Sequence, residues 1–180
     1  HELEQLIRLY HQDQYSKALN QAEKLLQQFP NSAITHNICA VSNSGLSQYE
    51  AAIEHCNKAI EAQPDYADSY NNLGNILRTI GDLDGAVKNC QKAIAIKPNF
   101  PEALLNLANG LNAQGKHEEA IKNYQKAIEL KPNDPDALYN LGLAQVAGED
   151  IDGAIKSYKQ VVRLEPFNPE AHNNLGNALR

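Results

Sequence analysis

Four asparagines recur at a fixed 34-residue interval: Asn72, Asn106, Asn140 and Asn174. An asparagine amide accepts a hydrogen bond through its carbonyl oxygen and donates through its NH2 group, so one side chain can pair with both polar groups of a peptide backbone. Each such bond contributes only about 0.5–1.5 kcal/mol net. A row of these amides has the chemistry for weak, permissive contacts with a peptide backbone, and it lacks a nucleophile or a general acid or base.

The elements that carry these asparagines repeat with the same period. Five prolines are also spaced 34 residues apart, at Pro30, Pro64, Pro98, Pro132 and Pro166. When this proline is numbered position 32 of each repeat, position 20 is always alanine and position 8 is alanine or glycine in every repeat after the first. The pattern predicts two helices joined by a tight turn, with the second helix ended by the proline, which lacks a backbone N–H. Repetition of one such unit predicts an all-α solenoid.

The segments 70–75, Tyr-Asn-Asn-Leu-Gly-Asn, and 172–177, His-Asn-Asn-Leu-Gly-Asn, give the chain a family resemblance. The chain resembles the tetratricopeptide repeat proteins over essentially all of its 180 residues. The resemblance implies a right-handed superhelical solenoid of antiparallel helix pairs. We divide the array into a divergent repeat over residues 1–32, full repeats over 33–66, 67–100, 101–134 and 135–168, and a lone first helix over 169–180.

Two departures from the family pattern are local. Repeat one has Gln5 and Leu6 where a large residue and a small residue belong. Repeat five has Gly148 one position early, so we expect its turn between helices to be slightly remodelled.

The resemblance implies that positions 2, 5, 6, 9 and 12 of each first helix face a concave groove. Similar asparagine ladders line the repeats of O-linked N-acetylglucosamine transferases. First helices about 10 Å apart would place one asparagine at about every third residue of an extended peptide. The predicted peptide-binding residues are Asn71, Asn72, Asn75, Arg78, Leu105, Asn106, Asn109, Asn112, Tyr139, Asn140, Asn173, Asn174 and Asn177.

Two alternatives to peptide binding remain open on this face. The asparagines could bond one another along the stack or merely keep the groove hydrated. In repeat two, Ile34, Ile38 and Val41 make the groove face apolar. We expect that surface to receive the helix of repeat one, and the alternative is a pocket for an apolar side chain of a ligand.

A terminal-carboxylate clamp of the kind that binds chaperone tails is not expected. Repeat proteins with that clamp carry lysine and arginine on the groove face. Here position 2 is acidic in four repeats, and these acids would repel a carboxylate: Asp68, Glu102, Asp136 and Glu170. Their position in the first helical turn is also explained by the helix dipole.

Composition limits the partners. The formal net charge is −6 and the lysines alternate with acids, which argues against nucleic acid as a partner. No apolar run reaches the roughly 20 residues that span a bilayer, so we expect no membrane insertion and favour a cytoplasmic location.

The residues that often perform chemistry are expected to be structural here. Cys39, Cys56 and Cys90 fit small apolar positions between helices, and the alternative is a pair between Cys39 and Cys56. His36 and His172 occupy position 4, where we expect packing. Nucleophile, phosphate-loop and paired-histidine motifs are absent from the sequence. We therefore expect no catalytic residue, no metal site and no cofactor in this chain.

The ends of the sequence suggest a longer parent protein. The chain has no methionine, and Pro169 to Arg180 reads as a first helix without its partner. We expect further repeats or another domain beyond Arg180, and the alternative is that this helix caps the array. Self-association through that end is a further possibility.

Two functions follow from the sequence. The first is a protein-interaction scaffold that holds an extended or helical segment of a protein partner in its groove. The alternative is the N-terminal substrate-recruiting arm of a larger bacterial glycosyltransferase or sulfotransferase.

Overall fold

The computed structural model of the protein describes residues 2–12 and 14–180. This part of the chain forms eleven helices and no strand, which confirms the all-α prediction. They are α1 (Glu2–His11), α2 (Tyr15–Gln28), α3 (Ala33–Gly45), α4 (Tyr49–Ala62), α5 (Ala67–Thr79), α6 (Leu83–Ile96), α7 (Pro101–Ala113), α8 (His117–Leu130), α9 (Pro135–Ala147), α10 (Ile151–Leu164) and α11 (Pro169–Ala178).

The position-32 prolines set the ends of the second helices. α2, α4, α6, α8 and α10 each end two residues before such a proline. The residue between is extended, with φ of −144° at Gln63 and −128° at Lys97. A residue that precedes proline is driven out of the helical region by the proline ring. The helix therefore ends where the sequence predicts.

Side-chain caps begin several of the helices. Ser32, Asp134 and Asn168 accept hydrogen bonds from the backbone N–H groups at the starts of α3, α9 and α11. Asp82 and Asp150 do the same for α6 and α10. These bonds satisfy donors that have no partner within the helix.

The helices form two compact units. One unit ends at Pro98 and contains α1 to α6, and the other begins at Asn99 and contains α7 to α11. Within each unit every helix packs on the next one in sequence. Since only a few residues connect them, consecutive helices form hairpins. First helices of successive repeats also touch, α3 with α5 in the first unit and α7 with α9 in the second.

The small residue at position 8 lets the two helices of a repeat approach closely. A Cβ added at Gly74 would lie 2.5 Å from the sulfur of Cys90. A Cβ added at Gly142 would lie 2.5 Å from Cε1 of Tyr158, which is fully buried. The side chain at position 24, whether Cys90 or Tyr158, therefore occupies the space that a larger residue at position 8 would need.

Repeat one reverses this arrangement. Its position 8 is Leu6, which is completely buried, and its position 24 is Ala22. Both belong to one apolar cluster with Ile38 and Cys39 of repeat two. The apolar face of repeat two thus receives repeat one through Ile38, as expected, while Ile34 stays exposed.

The expectation of a remodelled turn in repeat five is not met. The turns after α5 and α7 place Gly81 and Gly115 at position 15 with φ of +90° and +76°. In repeat five the same conformation occurs at position 15, where Glu149 has φ of +64°, and Gly148 before it has φ of −90°. The hairpin therefore fixes the backbone, and the shifted glycine leaves a glutamate in the left-handed region.

All three cysteines are buried and free, so Cys39 and Cys56 are not paired. Burial raises the pKa of each thiol to about 12. A thiol that stays protonated at neutral pH is a poor nucleophile. The cysteines are packing residues of the helix hairpins.

Two substitutions at position 15 of the turns should change the free energy of unfolding in opposite directions. Glu149→Gly should raise the free energy of unfolding by up to about 1 kcal/mol, because relief of a left-handed conformation worth about 1–2 kcal/mol exceeds the flexibility cost of glycine, about 0.5–1 kcal/mol. Gly115→Ala should lower it by about 0.5–1 kcal/mol, since a Cβ there meets no atom within 4 Å and only backbone strain is added. Urea unfolding of both variants measures this. If both variants changed the free energy of unfolding in the same direction, this explanation of the turn would be wrong.

A second prediction compares two glycines at position 8. Gly142→Ala should lower the free energy of unfolding by about 1–3 kcal/mol, because the new methyl group meets the Tyr158 ring. Gly176→Ala is the matched control, since nothing lies within 4 Å of its added Cβ. That change should be neutral or stabilising by up to about 1 kcal/mol through helix propensity. Thermal unfolding followed by circular dichroism measures both, and an equal loss at the two sites would refute the close-packing explanation.

Candidate functional site

The candidate site is the face that the first helices present at positions 5, 6, 9 and 12. In the first unit, Asn72 on α5 donates its amide Nδ2 to Oδ1 of Asn37 on α3, at 2.9 Å. The hydroxyl of Ser69 donates to the same oxygen at 3.2 Å. One asparagine of the predicted ladder is thus hydrogen-bonded to the neighbouring repeat.

The second unit contains the equivalent bridge. Asn174 on α11 donates its Nδ2 to the hydroxyl of Tyr139 on α9, at 3.0 Å. Burial, with added effects of the Glu170 charge and hydrogen bond, raises the pKa of Tyr139. Both bridges join position 5 of one repeat to position 6 of the next, 35 residues away.

Asn140 occupies the same position 6 without a bridge. The residue 35 positions before it is Leu105, whose side chain has no acceptor. In the part of the chain that the structure describes, no hydrogen bond engages the Asn140 side chain, which is half-buried. Both its carbonyl oxygen and its NH2 group are therefore available to a ligand or to water.

Three of the asparagines at positions 9 and 12 are hydrogen-bonded within their own repeats. Arg78 Nη2 donates to Oδ1 of Asn75 at 3.1 Å. The Tyr124 hydroxyl donates to Oδ1 of Asn109 at 2.6 Å. Nδ1 of His117 lies 2.7 Å from Oδ1 of Asn112 and donates to it. The Asn109 and Asn112 bonds tie α7 to α8, whereas the Asn75 bond lies within α5.

The remaining predicted residues differ in accessibility. Asn71 is buried, and Leu105 and Asn106 are half-buried. Asn173 and Asn177 on α11 are both exposed. Asn71 and Asn106 both take part in polar interactions. The structure thus brings some members of the predicted set into hydrogen bonds with neighbours and leaves the Asn140 amide open.

Sequence reasoning missed Asn37 and Ser69, which complete the bridge to Asn72. Repeat two was interpreted as apolar on this face because of Ile34, Ile38 and Val41. The available signal was position 5, which is asparagine at Asn37 as it is at Asn71 and Asn173.

Exposed apolar side chains lie beside the open amide on α9. Leu143 is 38% exposed and Val146 is 42% exposed. Tyr139, Leu143 and Val146 follow the i, i+4, i+7 spacing that places side chains on one helix face. α9 therefore combines an unpaired side-chain amide with an apolar stripe.

A pair of histidines in the first unit was not expected. Nδ1 of His36 on α3 lies 3.0 Å from Nδ1 of His55 on α4, with the ring centroids 5.2 Å apart. Nε2 of His36 lies 2.9 Å from the carbonyl oxygen of Pro30. Burial, followed by the neighbouring His36 and Lys58, lowers the pKa of His55. The sequence indicated only packing for His36, because position 4 does not show that the residue at position 23 faces it.

Metal ligands and membrane-spanning helices both bear on function. Residues 2–12 and 14–180 contain no group of three or more His, Cys, Asp and Glu side chains arranged to hold a metal ion. Within the same residues no helix has the length and apolar character that crossing a membrane requires.

Several solved structures share this architecture. MamA is 25% identical in sequence, with a TM-score of 0.75 over 88% of this chain and 93% of MamA. TTC0263 from Thermus thermophilus, a thermophilic TPR protein, is 19% identical, with a TM-score of 0.80 over 99% of this chain and 97% of that one. YrrB, described as a TPR protein with an unusual peptide-binding site, is 21% identical, with a TM-score of 0.74 over 96% of this chain and 89% of YrrB. No curated protein sequence matches the chain significantly.

Family profiles locate the repeats directly in the sequence. The profile described as TPR repeat matches residues 46–79, 108–148 and 145–179. Two further profiles, each described as tetratricopeptide repeat, match residues 67–100 and 89–122. Together with the paired helices and their position-8 contacts, these matches show that the chain belongs to the tetratricopeptide repeat family, whose fold is a protein-binding scaffold.

Proposed function

We propose that this protein is an interaction scaffold that binds an extended or helical segment of a protein partner along the faces of its first helices. The observation that carries the proposal is the open amide of Asn140, which lies on α9 with the exposed Leu143 and Val146. A polar group that can both accept and donate, beside exposed apolar side chains, matches what a peptide presents: a backbone and alternate side chains.

The bridged asparagines keep part of their bonding capacity. Asn72 and Asn174 each use Nδ2 as the donor in the bridge to the preceding repeat. Their Oδ1 atoms are acceptors that these bridges do not use. In this proposal the bridges hold the amides at fixed orientations, and their free Oδ1 atoms accept hydrogen bonds from N–H groups of the partner backbone. Preorganised donors and acceptors lose little conformational entropy when a ligand binds.

Sequence preference would come from the apolar stripe of α9. Burial of apolar surface contributes about 25 cal/mol per Å2. An aliphatic side chain that packs on Leu143 and Val146 therefore contributes more binding free energy than one neutral hydrogen bond does. We therefore expect the partner segment to carry an aliphatic or aromatic residue where it crosses α9. Tyr139, whose ring packs 6.0 Å from that of Tyr158, borders the same stripe.

The peptide-binding site named for YrrB, a protein of similar fold, supports a peptide-binding role for this fold. The proposal assigns no catalytic step to the chain. Recruitment of a substrate for a transferase domain in a longer parent protein stays a prediction from the sequence.

Binding of selected peptides tests the proposal. Peptides would be selected from a phage-displayed library against the full 180-residue chain and measured by fluorescence polarisation. Asn140→Ala should lower the affinity for the selected peptides by about twofold to tenfold, which corresponds to one hydrogen bond of about 0.5–1.5 kcal/mol. Leu143→Ser should weaken them further, because it removes the apolar contact.

The matched control is Lys126→Ala, which changes an exposed residue of the second helix α8 and should leave the affinity unchanged. Peptides that bind Asn140→Ala and Leu143→Ser as tightly as the unchanged protein would overturn the proposed binding face.

The stability of two asparagine variants separates the bridging role from ligand binding. Asn72→Ala should lower the free energy of unfolding by about 0.5–1.5 kcal/mol, since it removes the bridge to Asn37. Asn140→Ala should change it by less than about 0.5 kcal/mol, because that side chain makes no hydrogen bond to lose within the described residues. Urea unfolding measures both. An equal loss would mean that Asn140 is as structural as Asn72.

A further inference from the structure

We propose that His36 and His55 form a two-imidazole site for a divalent transition-metal ion such as Zn2+, Ni2+ or Cu2+, at a cleft in the first unit. The site is separate from the face proposed to bind a partner segment, and it does not depend on that proposal. The sequence alone predicts no metal site, and the proximity of the two rings changes that expectation.

The two ring nitrogens are spaced as metal ligands are. His36 Nδ1 and His55 Nδ1 lie 3.0 Å apart. Two nitrogens that bind one such ion at about 2.0–2.1 Å, with an angle between 90° and tetrahedral, lie roughly 2.9–3.4 Å apart. On binding, His55 Nδ1 would release its proton to solvent and His55 would carry a proton on Nε2 instead, so that both Nδ1 lone pairs can bind the ion. Because the two nitrogens already have this separation, α3 and α4 would need little movement. Imidazole nitrogen is a preferred ligand of zinc, nickel and copper and a poor ligand of magnesium and calcium.

The backbone fixes which nitrogen of His36 is available. A carbonyl oxygen only accepts hydrogen bonds, so Nε2 of His36, 2.9 Å from the oxygen of Pro30, carries a proton. In the neutral ring Nδ1 then has a lone pair, which is the form that binds a metal. A carbonyl that accepts the distal N–H of a ligating histidine is a common feature of metal sites, where it orients the ring and raises its basicity.

The surroundings leave room for the other ligands. The rings line a cleft of about 740 Å3 together with Leu26, Pro30 and Glu61. Waters can complete the coordination in a space of this size. Lys58 also lines the cleft, and its ammonium is held 2.6 Å from the carboxylate of Glu54. That ion pair offsets the positive charge that would otherwise oppose a cation.

Binding would link three parts of the first unit. The ion would join α3 to α4, and His36 already ties α3 to Pro30 behind α2. A ligand that binds the folded form raises stability by mass action. The site would therefore fix the position of repeat one against repeat two.

Metal titration of histidine variants tests the site. Isothermal titration calorimetry would use ZnCl2 and NiCl2 as the probes, with MgCl2 as a cation that should not bind. His55→Gln and His36→Gln should each weaken Zn2+ and Ni2+ binding by about tenfold or more, because the loss of an outer-shell partner alone commonly costs about 10–100-fold. All proteins would lack an affinity tag and carry His1→Ala, since an imidazole beside the terminal amine binds these ions by itself.

His172→Gln is the matched control. His172 occupies the same repeat position as His36, and its Nε2 lies 2.8 Å from the carbonyl oxygen of Pro166, without a second imidazole bonded to it in the described residues. Its substitution should leave the affinity unchanged. Equal binding by His55→Gln, His36→Gln and the unchanged protein would overturn the proposal.

A second measurement needs no substitution at the site. In 15N NMR spectra of the imidazole groups, Zn2+ should shift the signals of His36 and His55 together, at lower concentration than those of His117 and His172. Failure of the His36 and His55 signals to move would overturn the proposal even if the variants fold poorly.

Discussion

The close approach of two helices within each repeat is the constraint on which the rest of the structure depends. At position 8 the absence of a side chain in Gly74 and Gly142 lets Cys90 and Tyr158 lie against the helix backbone. Interiors are packed to the density of organic crystals, so this contact has little tolerance for added volume. Because it fixes the spacing within the hairpin, it also fixes which side chains of the first helix are left to face outward.

On the outward face of the first helices, asparagine has two roles. Asparagines at position 6 bond the preceding repeat where position 5 offers an acceptor, as Asn37 and Tyr139 do. Where position 5 is Leu105, the asparagine one repeat later stays open. The ladder is therefore partly a set of bridges between repeats, and it also contains the unbonded amide of Asn140. A single leucine determines which of these two roles Asn140 has.

At a few repeat positions the residue type differs from the one that the local structure favours. The hairpin turn needs a left-handed residue at position 15, and Glu149 adopts that conformation although its neighbour is the glycine. The contacts of the two helices outweigh the local cost, which is about 1–2 kcal/mol for a residue with a Cβ. Likewise, repeat one has the large residue, Leu6, at position 8 and the small one, Ala22, at position 24, and both are completely buried. Repeat one is divergent in sequence, but its first helix still packs on α2 and α3.

The sequence by itself determined the helices, their ends and the family, because proline geometry and the 34-residue period act locally and recur along the whole chain. It also identified the face that carries the asparagines. Only the tertiary structure decided which of those amides are bonded and which are open, and that His55 meets His36 at 3.0 Å. Hydrogen bonds between side chains 19 or 35 residues apart depend on helix packing to within a few tenths of an ångström, and a repeat pattern gives residue positions without those distances.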